Sequence, residues 1–129
     1  MRRIMIMLAA LLSALAFSAA PAGAGVNELQ MWSGLTGTGD SHVIAQPNIP
    51  TSCTAVDIDF IPSGQVRSAE NRTTSTSGVV VKFYANLSNC TNDLPLANGV
   101  LQPNSLVVND LDGSSSQDIP ATYFRAFPL

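Results

Sequence analysis

The chain has 129 residues, 46% of them hydrophobic and only 12% charged, with nine acids against six strong bases and a net charge of −3. That length suits one domain with a modest core. The acidic balance excludes a nucleic-acid binder, whose phosphate contacts need clustered Lys and Arg, and an electrostatic binder of anionic membrane surfaces.

The N-terminus sets the expected compartment. Arg2 and Arg3 precede an apolar run from Ile4 to Phe17 that only Ser13 interrupts. Ala22-Gly23-Ala24 then has the small-x-small form that signal peptidase accepts. The run is short for a hydrocarbon core of about 30 Å at about 1.5 Å per residue. We therefore expect residues 1–24 to be a cleaved signal peptide, residues 25–129 to be a single exported domain, and the protein to be secreted and extracellular. The exported part keeps Arg67, Arg72, Lys82 and Arg125 as its only strong bases.

Beyond residue 25 the helix pattern is missing. No window of a dozen residues repeats apolar positions at helical spacing without a Gly, a Pro or a Ser/Thr cluster. Six short β-type runs take its place: Glu28 to Trp32, His42 to Ala45, Thr54 to Ile61, Gly78 to Tyr84, Ser105 to Val108, and Thr122 to Phe127. Turn-forming stretches separate them, among them Gly34 to Ser41, Pro47 to Pro50, Pro62 to Gly64, Asn86 to Pro95 and Asp110 to Gln117. Short strands at this density predict an all-β, antiparallel sandwich.

Cys53 and Cys90 are the only cysteines, and both belong to the exported part. In an oxidising compartment such a pair reads as a disulfide. Closing a loop of this separation stabilises the fold by about 4 kcal/mol in the chain-entropy treatment. Two distant Cys and a single His do not make a zinc set.

The runs also resemble one another in order. Leu29-Gln30-Met31-Trp32-Ser33-Gly34-Leu35-Thr36 aligns with Val81-Lys82-Phe83-Tyr84-Ala85-Asn86-Leu87-Ser88. Asp57-Ile58-Asp59 aligns with Asp110-Leu111-Asp112, and Ile61 to Ser68 aligns with Ile119 to Ala126, which places Arg67 opposite Arg125. The extra length of the second copy falls in the loop from Gly113 to Gln117, where insertions are tolerated. Two similar β units follow, at about residues 26–70 and 79–129, joined through the Ser/Thr-rich segment Asn71 to Ser77.

An aromatic first strand, a turn-rich fold-over and a late strand carrying Gln65-Val66-Arg67-Ser68 or Tyr123-Phe124-Arg125-Ala126 resemble the βγ-crystallin family. That resemblance implies a double Greek key over most of residues 26–129. Gly37 and Gly39 would supply the positive-φ fold-over in the first copy, and Asn89 to Asn92 would replace them in the second. The family's calcium signature, two acidic or amide residues and two spacers before Ser/Thr-Ser, is not reproduced.

Four kinds of candidate site remain. Asp57, Asp59, Asp110 and Asp112, with Asn109, Ser114 and Ser115 beside the second pair, offer oxygens to calcium. Against this, strand alternation would turn Val56, Ile58 and Phe60 inward and Asp57 and Asp59 to water. Asp40-Ser41-His42 has the residue types of a hydrolase, but neighbours on a strand face opposite ways, and no catalytic residue is expected. Trp32, Tyr84 and Tyr123 suit either a sugar-stacking surface or the core. Asn71, Asn86 and Asn89 head glycosylation sequons, used only if the source is eukaryotic, with Asn71 in its Ser/Thr-rich loop the best placed.

The expected protein is therefore a secreted, non-enzymatic β-sandwich that works by surface binding, in the manner of an effector, an inhibitor or a structural protein. Its partner would be an extracellular protein or a cell-wall polymer, with no resident cofactor. An inhibitor loop would lie in Asp110 to Gln117. A calcium- or carbohydrate-binding module is the alternative, and a small secreted hydrolase the second.

Overall fold

The computed structural model describes residues 27–114 and 118–129. The expected signal peptide and the last three residues of the Gly113 to Gln117 loop, Ser115 among them, lie outside the described residues. The described chain is mostly strand, arranged as two antiparallel sheets with little helix.

The first sheet has β1 (Glu28–Trp32) at its centre, between β2 (Ser41–Ala45) and β4 (Ser68–Asn71). Period-two alternation sets its register. Leu29 and Met31 are fully buried, while Glu28, Gln30 and Trp32 turn outward and stay half-buried. The second sheet runs β3 (Thr54–Ala55), β7 (Tyr123–Pro128), β5 (Val79–Tyr84), β6 (Val100–Leu101). Val81, Phe83, Phe124 and Ala126 are its inward residues, and they join Leu29, Met31 and Ile44 in a single hydrophobic cluster. Phe124 stacks on Phe83 at 5.9 Å and meets Phe60 edge-on at 5.6 Å, so the aromatic centre of the core is shared by strand and loop residues.

Three pairings cross between the sequence halves. Thr54 and Ala55 lie against Phe124 and Tyr123, and Val108 bridges to Ala69 of β4. A further bridge joins Val66 to Ala121. Asn71 then locks sheet to sheet. Its side chain is fully buried, donates to the carbonyls of Val79 (2.7 Å) and Leu101 (3.0 Å), and accepts from the Thr73 amide and hydroxyl. All its polar capacity is spent inside the fold, which is how a buried amide avoids a desolvation penalty.

The structure departs from the sequence reading at four places. The run Thr54 to Ile61 is strand only to Ala55. Asp57 accepts the Asp59 amide on its side chain and the amides of Phe60 and Ile61 on its carbonyl, which folds the chain into a turn. Ile58 is consequently 75% exposed rather than inward. Ser105 to Val108 shrinks to the single bridge at Val108. Ser68–Asn71, read as part of a closing segment and connection, is a strand. Asn86 to Pro95, read as turn, holds the short helix α1 (Leu87–Thr91), capped by the Asn86 side chain accepting from the Asn89 amide.

Candidate functional site

On the outer face of the second sheet, strand register sets Lys82 opposite Arg125, Tyr84 opposite Tyr123 and Val80 opposite Phe127. Helix α1 packs over the Tyr84 end, and the Cys53–Cys90 disulfide fastens it to the segment leading into β3. The chain leaves α1 through Asp93, which has a positive φ of 52°. That residue, not one of Asn89 to Asn92, takes the left-handed position in this half.

Asp93 is the electrostatic centre of the face. Its carboxylate accepts from Lys82 Nζ at 2.8 Å and from the Tyr84 hydroxyl at 2.7 Å, with Arg125 Nη2 at 3.8 Å. The Lys82 and Tyr84 hydrogen bonds hold the Asp93 carboxyl below the usual carboxylate range. Burial pushes the Tyr84 phenol above its ordinary value, and only part of that rise is offset by the hydrogen bond from Arg125. Both cations also lie over the Phe127 ring, Lys82 at 4.5 Å and Arg125 at 4.6 Å from its centroid. Around this pair the surface is apolar: Leu94 is 59% exposed and Val100, the cross-strand neighbour of Lys82, 41%. The result is a partly apolar face on an acidic protein, with two cations against the one Asp93 carboxylate. Sequence reasoning placed Lys82 and Arg125 in two repeat segments but did not bring them together. Their position on paired strands was the missing signal.

The residues singled out from the sequence are dispersed. Asp57 and Asp59 are exposed in one turn, whereas Asp112 is buried and accepts the Ile119 amide at 3.4 Å. The two pairs do share a local device: in each, the first Asp accepts the backbone amide of the second. Among the described residues no three His, Cys, Asp or Glu side chains stand together as a metal-holding group. His42 meets Phe60 edge-on at 5.3 Å, while Ser41 is exposed on the opposite side of β2.

The aromatic trio does not share a surface. Tyr84 is fully buried, Tyr123 lies beside it, and Trp32 belongs to the other sheet, where Gly37 folds over its indole. Asn71 closes β4 inside the core, so a glycan on its amide has no room; Asn86 is exposed at the helix cap and Asn89 half-buried within α1. The pairing of Cys53 with Cys90 is as expected. No described helix is long and apolar enough to cross a membrane. Comparison with protein-family models, with curated proteins and with solved structures returned no match.

Proposed function

We propose that the chain is a secreted, non-enzymatic β-sandwich that binds an acidic extracellular partner, a wall polymer or a protein, through the outer face of the second sheet. One observation carries this reading: Lys82 and Arg125, held side by side over Phe127, sit among exposed Leu94 and Val100 on a chain with an overall negative charge. Paired cations with apolar surroundings favour carboxylate- or sulfate-bearing surfaces, and the acidic remainder repels them elsewhere. Secretion rests on the N-terminal sequence, and the disulfide agrees with an oxidising compartment.

The architecture proposed beneath this face is a duplicated Greek key of the βγ-crystallin kind. The support is the pairing. In each half the first strand lies between the second and the last, and the segment between those two pairs with the other half's last strand. On this reading the register sets Glu70, and not Arg67, in the place of Arg125.

The test is retention on immobilised polygalacturonate or dextran sulfate, compared with neutral cellulose and chitin, for the native chain and Lys82→Glu. Binding to the anionic polymers that falls at about 0.5 M salt and is lost in Lys82→Glu is the expected result. Equal retention of both proteins, or binding to the neutral polymers alone, would overturn it.

A further inference from the structure

The two sheets end differently. At the free edges of the second, β3 and β6 are each only two residues long. At the free edge of the first, β2 presents five residues, Ser41-His42-Val43-Ile44-Ala45, with no Pro, no Lys and no acid. Natural edges are normally blunted by such residues or by brevity. This one has neither protection.

The ladder also fixes which groups face out. Ser33 donates to the Asp40 carbonyl and Gln46 to the Asn27 carbonyl, so the alternate residues His42 and Ile44 point their amides and carbonyls at β1. Ser41, Val43 and Ala45 therefore direct theirs away from the sheet. All three are exposed, and among the described residues their backbone groups have no partner.

We infer that β2 is the seam of a symmetric pairing between two copies of this chain, antiparallel and centred on Val43. A two-fold axis there sets Val43 against Val43 of the second copy and Ser41 against Ala45. Every outward residue then falls in a hydrogen-bonded pair. The self-match arises because the outward residues are odd in number and symmetric about Val43. No Asp, Glu, Lys or Arg of the strand meets its like, since the strand holds none, and His42 falls opposite Ile44 of the second copy. The 44% exposed Val43 side chains become neighbours on the outer face. A five-residue seam buries less than the roughly 1,200 Å² of a stable specific interface, so the pairing is weak and concentration-dependent. This inference does not depend on the proposed binding face, which lies on the other sheet.

Sedimentation velocity of the disulfide-bonded chain should show the single-chain mass at micromolar concentration and an approach to twice that mass near millimolar. Val43→Lys, a change at an exposed position, should keep the melting temperature and the single-chain mass throughout. A short thiol-to-thiol crosslinker should join Val43→Cys chains at least tenfold faster than Ala45→Cys chains, whose thiols would stand about 14 Å apart along the strands. A native chain that stays single at every concentration, a Val43→Lys chain that still doubles, or equal crosslinking of the two cysteine variants would each overturn the pairing.

Discussion

After β1 and after β5 the chain does the same job with different materials. The first segment, Ser33 to Asp40, folds back through Gly37 and Gly39, whose φ values of 69° and 80° suit glycine. It is braced from within: the buried Ser68 hydroxyl accepts the Gly37 amide at 2.9 Å and donates to the Gly34 carbonyl at 2.6 Å. The second segment replaces the glycine turn by α1, and Tyr123 occupies the register position that Ser68 has beside Trp32. A tyrosine cannot brace a tight turn there. The disulfide and the Asp93 cluster hold α1 instead. Local backbone chemistry suffices where the excursion is a few residues of turn, whereas a short helix needs a covalent or ionic tie, because about a dozen residues are required for a helix to be even marginal alone.

If that contrast is right, the largest effect comes from the covalent tie. Replacing Cys53 and Cys90 by Ser removes about 4 kcal/mol, which calorimetry would register as a fall of about 15–30 °C in Tm. Hydrogen exchange should then report loss of protection at α1 before any loss at Gly34 to Thr38. Equal loss at both segments would break the contrast. Next in size, Ser68→Ala leaves one part-buried amide and one part-buried carbonyl of the first segment unpaired and costs about 1 kcal/mol in denaturant unfolding, with α1 protection unchanged.

An effect of similar size is expected at Gly37. An alanine there meets the Trp32 ring only at ordinary contact distance, 3.6 Å, so the cost is conformational, about 1 kcal/mol for the left-handed backbone. A neutral Gly37→Ala would show that the turn is not held at positive φ.

Smallest is Asp93→Asn, since the Asp93 side chain is 42% exposed and solvent screens its ion pairs to below about 1 kcal/mol. The pH dependence gives this variant its diagnostic value. The folded-state pKa of Asp93 lies below the ordinary value, so its contribution is fully present above the unfolded carboxylate pKa of about 3.9. It is lost as pH falls through the lower folded value. The native chain should exceed Asp93→Asn in Tm at neutral pH, and the two should converge in acid. Tyr84 acts at the other end of the scale. Its raised pKa keeps the phenol neutral in the fold while the unfolded chain ionises near pH 10, so stability declines above that pH and an ultraviolet titration should show delayed phenolate.

Much of this was legible in the sequence where local pattern and tertiary role coincide. The bounds of β1 were read directly, and β2, β5 and β7 within a residue or so, because alternating apolar residues there face a core on one side. Ser68-Ala69-Glu70-Asn71 escaped because no β-branched or aromatic residue marks it. It is a strand because β1 and Val108 flank it, a fact about distant residues. Ile58 misled in the opposite sense: its alternation with Val56 and Phe60 is sound, but Asp57 turns the chain first. The sequon at Asn71 gave no hint of burial, since an amide that bonds four groups reads the same as one in solvent. The juxtaposition of Lys82 and Arg125 depended on pairing between β5 and β7, which spacing in one chain does not encode.

The crossing of Thr54 and Ala55 to β7, and of Val108 to β4, has a consequence for handling the molecule in pieces. Each half carries an element that completes the other half's sheet, so neither is a self-sufficient foldable fragment. A single proteolytic cut in the turn Ser75 to Ser77 severs the backbone between them without severing the pairing, and the Cys53–Cys90 bond spans the break. The nicked protein should run as one particle until reduced. After reduction the two peptides, each left with an incomplete sheet, should recover structure only when mixed.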